Sequence, residues 1–154
     1  MTIEDDIEFL ERIPLLRRLG GGALRSLAIA AETRFLEADE VLFSVGEPAD
    51  GAFIVRHGSF TLKPDRSGES VVVAGPGTLL GESALLAATK RPATATAREA
   101  SAVLRVSRPM FLKILESYPD AAQRLRELIA SRTDQWTRDV EHIRAALARG
   151  TPPQ

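Results

Sequence analysis

The chain has 154 residues, a length that suits one domain with one hydrophobic core. Its formal net charge of -1 argues against a broad nucleic-acid-binding surface, because such surfaces need an excess of basic residues to neutralise phosphates. It contains no cysteine, which excludes disulfides, thiolate metal sites and cysteine nucleophiles.

The N-terminal part, residues 1–31, has the pattern of two helices. Apolar residues at helical spacing predict a helix over Ile3–Leu19 that Pro14 breaks or kinks, and Gly20–Gly22 ends this region. A second short helix is predicted over Ala23–Ala31. Residues 1–11 are acidic and do not resemble a signal peptide, and no apolar run approaches the roughly 20 residues that cross a bilayer. We therefore expect a cytoplasmic protein without membrane contact.

Residues 32–106 change to a pattern typical of β-structure. The predicted strands are Thr33–Leu36, Val41–Phe43, Ala52–Arg56, Ser59–Lys63, Ser70–Ala74, Thr94–Ala97 and Ala102–Val106. Glycine, proline, aspartate and serine mark the turns between them, and Glu82–Ala88 is predicted as a short inserted helix. Such short strands favour an antiparallel sandwich, barrel or roll. We predict a mainly β domain, an antiparallel, jelly-roll-like β-roll with flanking helices at both ends.

The last part, residues 107–149, is predicted to be helical. Ser107 is an expected N-cap with Pro109 in the first turn, and after Pro119 a long helix is predicted from Asp120 to about Arg149. The apolar positions of the long helix alternate by four and three: Ile129, Thr133, Trp136, Val140, Ile143 and Leu147. This seam either joins two copies in a homodimer or lies along the chain's own β-roll. Residues 1–154 are expected to form a single domain.

An anion site is expected within residues 75–94. Gly81 lies at a strand-to-helix junction, where the missing Cβ lets the backbone approach a ligand closely. Residues 82–84 begin the short helix, so their amides are expected to lack intrahelical partners and to attract an anion. Arg91 follows at a distance that returns its guanidinium to this helix start, and its fork of donors matches two phosphate oxygens. Glu82 would repel a phosphate, so we expect it to accept from a sugar hydroxyl.

This stretch resembles the phosphate-binding cassette of the cyclic nucleotide-binding domains in Crp/Fnr-type regulators, cyclic-nucleotide-dependent kinases and gated channels. The resemblance lies in Gly81–Leu86 and Arg91–Thr94, and Val41–Gly58 is similar to the family's early strands. It implies a regulatory or sensor module that binds a cyclic nucleotide. The ligand is cAMP or cGMP, and we expect cAMP rather than cGMP. Ligand occupancy would be relayed through the C-terminal helix to a downstream protein that the sequence does not name.

The resemblance also implies a role for each residue of the cassette. The predicted ligand-binding residues are Gly81, Glu82, Ser83, Ala84, Arg91, Pro92 and Ala93. Arg91 would pair with the phosphate oxygens, Glu82 would accept from the ribose 2′-hydroxyl, and the Gly81 backbone would line the ribose. The amides of Ser83 and Ala84 would reach the phosphate.

Two positions next to Arg91 depart from the family pattern. Lys90 stands where the family usually has proline, and Pro92 after the arginine donates neither an N–H nor a hydroxyl. One lost donor costs about 1–2 kcal/mol, so we expect weakened binding rather than none. A residue of the long helix would contact the base, and the candidates are Arg132, Trp136 and Thr137.

Other interpretations stay open. Glu82 and Arg91 can form a structural ion pair, and Pro92 favours a degenerate dimerisation module that keeps the fold without a ligand. The chain can also be the sensory part of a transcription regulator, in which case direct DNA binding is not expected without a helix-turn-helix. A cupin-like metalloenzyme needs clustered histidines, whereas His57 and His142 are far apart. No serine–histidine arrangement supports catalysis, so we expect no enzyme.

Overall fold

The structure, a computed structural model, describes residues 2–65, 71–128 and 130. Three helices open the chain: α1 (Ile3–Glu11), α2 (Pro14–Arg17) and α3 (Gly21–Ala30). A capping box begins α1, because the Thr2 hydroxyl accepts from the Asp5 amide at 3.2 Å and the Thr2 amide donates to the Asp5 carboxylate at 3.1 Å. Pro14 occupies the start of α2, where a missing N–H is tolerated, so the predicted break is confirmed.

Ten strands lie between residues 32 and 107 in the described part of the chain. They are β1 (Glu32–Leu36), β2 (Val41–Phe43), β3 (Pro48–Ala49), β4 (Gly51–His57), β5 (Phe60–Pro64), β6 (Val72–Ala74), β7 (Leu79–Leu80), β8 (Thr89–Lys90), β9 (Ala93–Ala97) and β10 (Ser101–Ser107). The predicted strands are confirmed to within one residue at each end, except that β6 begins at Val72 and the predicted start at Ser70 lies outside the described residues. The sequence did not predict β3, β7 and β8, because two residues are too few to show an alternating pattern.

The strands form two antiparallel sheets of four strands each. The first sheet has the order β1-β10-β4-β7 and the second the order β2-β9-β5-β6, while β3 pairs with β8 in a separate ribbon. Both sheets contribute to one apolar cluster that contains Phe43, Phe53 and Phe60. The other face of the first sheet packs on the helices through Ile54 and Leu104. This arrangement confirms the predicted β-roll with flanking helices.

Two helices follow the last strand within the described residues. In α4 (Arg108–Ser117) the Ser107 hydroxyl accepts from the Met110 amide at 3.3 Å, which confirms the predicted N-cap. Phe111 and Ile114 bury the apolar side of α4 in the helical cluster. The next helix, α5, occupies 119–128 as far as the structure describes it without a gap. The predicted continuation to about Arg149, and with it the apolar seam, lies outside the described residues apart from position 130.

Candidate functional site

Gly81 turns the chain sharply between β7 and a short 3-10 helix, Glu82–Leu85. Its φ of 84° and ψ of 36° are left-handed, a conformation that glycine adopts without a steric penalty. A Cβ at this position would lie 2.3 Å from Nη1 of Arg91, far inside van der Waals contact. Glycine is therefore required both for the turn and for the close approach of the arginine. The helix is shorter than the predicted Glu82–Ala88, because Leu86 caps it and the chain soon enters β8.

The β3–β8 ribbon fixes the backbone of Arg91. The Arg91 amide donates to the Glu47 carbonyl at 2.9 Å, and the Arg91 carbonyl accepts from the Gly46 amide at 2.8 Å. The side chain points into the roll, where only 5% of the residue is exposed. Its guanidinium carbon lies 4.5 Å from the ring centroid of Phe43 and 5.4 Å from that of Phe53. The two aromatic rings thus form an apolar floor under a buried positive charge.

Within the described part of the chain, the charge of Arg91 has no direct ion partner. Nη1 is buried and has no hydrogen-bond partner, and Arg91 forms no ion pair among the described residues. Burial lowers the pKa of Arg91, and the negative charges of Asp50 and Glu47 oppose this shift. Arginine nevertheless stays protonated at neutral pH. A buried charge of this kind costs stability unless an anion supplies the missing acceptor.

The amides at the start of the 3-10 helix are only partly available. The Ala84 amide donates to the Gly81 carbonyl at 3.0 Å, so the expectation that residues 82–84 all lack intrahelical partners is wrong for Ala84. The reason is the tighter helix, in which hydrogen bonds span three residues and reach one residue closer to the start than in an α-helix. The amides of Glu82 and Ser83 precede that bond. Ser83 is exposed and Glu82 partly buried.

The remaining predicted site residues have different outcomes. Pro92 is exposed directly after Arg91, and Ala93 is partly buried at the start of β9. The two parts of the cassette meet where the side chain of Arg91 lies against Gly81. The three base-contact candidates, Arg132, Trp136 and Thr137, lie outside the described residues.

Arg108 is a site residue that the sequence did not reveal. Its Nε donates to the carbonyl of Ala84 at 2.9 Å, and its Nη2 donates to the carbonyl of Ala49. Its own amide donates to the Asp50 carbonyl at 2.7 Å. The first residue of α4 thus fastens both the 3-10 helix and the β3–β4 junction. Nothing in the sequence distinguishes this arginine, because its partners are carbonyl groups made adjacent by folding.

The β3–β4 junction borders the guanidinium of Arg91. A Cβ built on Gly81 would lie 3.3 Å from the Gly51 carbonyl oxygen and 2.3 Å from Nη1 of Arg91. The Gly51 carbonyl and the guanidinium therefore border the same small space. The neighbouring Asp50 carboxylate does not pair with Arg91, because Arg105 holds it through Nη2 at 2.9 Å. Arg105 therefore engages the carboxylate whose charge acts most strongly on Arg91.

The cyclic nucleotide-binding domain family matches this sequence over residues 33–118, more than half of the chain. The chain belongs to this family. A structure described as a cyclic nucleotide-binding-like protein from Brucella abortus is 39% identical, with a TM-score of 0.65, and the match covers 73% of this chain and 98% of that one. The N-terminal domain of a transcriptional regulator from Streptomyces coelicolor is 25% identical, with a TM-score of 0.78 and 86% and 94% of the two chains covered.

Longer proteins contain similar domains. A cyclic nucleotide-gated potassium channel of Mesorhizobium japonicum is 29% identical over 125 residues, which cover 81% of this chain and 34% of the channel. An uncharacterised NTE family protein of Mycobacterium bovis is 31% identical over 111 residues, which cover 71% of this chain and 19% of that protein. The chain thus spans about a third or less of the length of these relatives.

Two further observations concern the described residues. No helix within 2–65 and 71–128 has both the length and the apolar character needed to cross a bilayer. In the same stretches, no three histidine or acidic side chains lie together in a group that could hold a metal ion.

Proposed function

We propose that this cyclic nucleotide-binding domain is a regulatory sensor module that binds cAMP in preference to cGMP and catalyses no reaction. One observation carries the proposal: the guanidinium of Arg91 is buried against Gly81, and Nη1 has no acceptor among residues 2–65, 71–128 and 130. A phosphate oxygen at this position would complete a charge-assisted hydrogen bond that these residues leave unmade.

The cassette supplies the other contacts. Gly81 allows a ligand to reach the backbone, Glu82 accepts from a ribose hydroxyl, and the Ser83 amide donates to the phosphate. The Ala84 amide contributes only if its bond to Gly81 opens, so the structure supports fewer amide contacts than the sequence predicts.

Occupancy of the site would be relayed through the helices that follow β10. Arg108 links the 3-10 helix to the first turn of α4. The next helix, α5, is tied to the N-terminal helices by Arg124, whose Nε and Nη2 donate to the carbonyls of Arg18 at 2.7 Å and Leu19 at 2.8 Å. A ligand that contacts the 3-10 helix would favour one arrangement of these helices over another. The size of the shift depends on how much the ligand's affinity differs between the two arrangements.

A degenerate module without a ligand is the second candidate. Pro92 favours it, because the residue after Arg91 has no amide to offer a phosphate. In either case the domain can be one part of a longer regulator or channel, as it is in the longer relatives.

Isothermal titration with cAMP and cGMP tests the proposal. We expect saturable binding, tighter for cAMP, and a loss of affinity of about a hundredfold in Arg91→Ala, since each charge-assisted hydrogen bond contributes about 1.5–3 kcal/mol. Arg91→Lys should also bind weakly, because an ammonium cannot form two parallel bonds to a phosphate. Arg25→Ala is the matched control, since that arginine is more than half exposed on α3. Absence of binding by the folded wild-type protein, or undiminished binding by Arg91→Ala, would overturn the proposal.

A further inference from the structure

The strand β1 forms an open edge of the first sheet. It is the outermost strand of that sheet, and within the described residues it pairs with β10 alone. Residues 32–35 are exposed, and Leu36 is the buried exception in the strand. An edge of this kind presents a row of backbone donors and acceptors, which a strand from another chain can pair with.

The apolar side chains around this edge are unusually exposed. Phe35 is 77% exposed and Ile29, close to the end of α3, is 63% exposed, the two highest values among the large apolar side chains described. Phe35 also lines a surface cleft of about 520 Å³ that extends to Ala102 on β10. Exposed apolar groups beside an unpaired edge mark an interaction surface.

The charged side chains of β1 are complementary to those of a second, antiparallel copy of β1. Glu32 and Arg34 lie on one face of the strand, on either side of Thr33. When two copies of β1 pair in antiparallel orientation about a two-fold axis at Thr33, Glu32 of each copy faces Arg34 of the other. A two-fold axis at Arg34 would instead place two guanidinium groups opposite each other. Glu32 is available for the new pair, because its contact with Arg105 is long, at 3.9 Å.

The same register also brings the exposed apolar groups together. Phe35 of one copy then faces Ala31 of the other, beside the end of α3 where Ile29 is located. Ala31 has φ -66° and ψ 137°, an extended conformation that lets the pairing reach it without unwinding α3. Charge pairing and apolar contact therefore both favour the register centred on Thr33.

We propose that β1 is a homodimer interface, in which two copies join their first sheets through antiparallel β1 strands centred on Thr33. The result is a continuous sheet of eight strands, four from each copy. This interface lies outside the cassette and outside the C-terminal seam, so it does not depend on nucleotide binding.

Single cysteines test the register, because the chain has none of its own. In Thr33→Cys the two Cα atoms would be about 4.5–5.5 Å apart, within the range of about 4.4–6.8 Å that a disulfide spans. In the matched variant Arg34→Cys they would be about 8 Å apart, too far for a disulfide without backbone movement. We expect mild oxidation to link Thr33→Cys into dimers and to leave Arg34→Cys largely monomeric. Equal linking of both variants, or none of Thr33→Cys, would overturn the proposal.

Sedimentation of the full chain tests the charges. Arg34→Glu should raise the dimer dissociation constant by about tenfold or more, because two attractive cross-strand pairs become repulsive. The double variant Glu32→Arg with Arg34→Glu should restore dimerisation, and Phe35→Ser should weaken it. All three positions are exposed, so the folded domain should tolerate these changes. A dimer that Arg34→Glu leaves intact would belong to another surface, such as the C-terminal seam, and would refute the β1 interface.

Discussion

Replacing Arg91 by methionine should stabilise the ligand-free protein and remove nucleotide binding at the same time. In the described part of the chain, Nη1 of Arg91 is a buried charged donor without an acceptor, and such a group costs about 1–3 kcal/mol or more. The two cation–π contacts with Phe43 and Phe53, at about 0.5–2 kcal/mol each, oppose that cost and are of similar size.

Methionine suits the site because it has similar length, no donor and no charge. Its sulfur can keep contact with the two rings, at about 0.3–1.5 kcal/mol each. We therefore expect Arg91→Met to raise the free energy of unfolding by about 1 kcal/mol, or Tm by about 2–4 °C for a chain of this size. A binding residue that reduces stability is a common trade-off at functional sites.

Urea unfolding followed by circular dichroism, with and without cAMP, provides the measurement. Wild-type protein should gain about 2.7 kcal/mol at a ligand concentration one hundred times Kd, whereas Arg91→Met should gain nothing. Arg25→Met, on the exposed face of α3, should change neither quantity. If Arg91→Met loses more than about 1 kcal/mol without ligand at an unchanged m value, the guanidinium is a structural group and the reasoning fails.

Three further predictions concern the surroundings of Arg91. Gly81→Ala should destabilise the domain by about 1–2 kcal/mol and weaken binding, because φ is 84° and the new Cβ would clash with Nη1 of Arg91. Thermal unfolding with and without cAMP measures both effects. Arg108→Ala should lower the affinity for the ligand by about tenfold, because the 3-10 helix loses its hydrogen bond to α4 while Arg91 stays in place. Titration with cAMP measures this loss. Arg105→Ala should weaken ligand binding, because it releases Asp50 to pair with Arg91 and compete with the ligand. Adding Asp50→Asn should recover the affinity. A double-mutant cycle in which Asp50→Asn has no effect would contradict this role of Arg105.

Local patterns in the sequence determined much of the architecture. Ser107 and Pro109 predict the start of α4, since capping depends on side chains within one helical turn. The longer strands follow from runs of β-prone residues between turn signals, and all seven were found. The family motif identified Gly81 and Arg91 as neighbours in the site, because the contact requires these two residue types and both are visible in the sequence.

Only the tertiary structure decided how that site is built. Arg91 follows β8, and its backbone bonds to Gly46 and Glu47 just before β3. Strands of two residues are too short to show a period in the sequence. Arg108 contacts the carbonyls of Ala49 and Ala84, which any residue type would provide, so no sequence signal marks those partners. The engagement of the Ala84 amide depends on a 3-10 rather than an α-helical turn. Burial of the Arg91 charge over Phe43 and Phe53 arises from packing between distant strands, and sequence patterns report local periodicity rather than long-range contact.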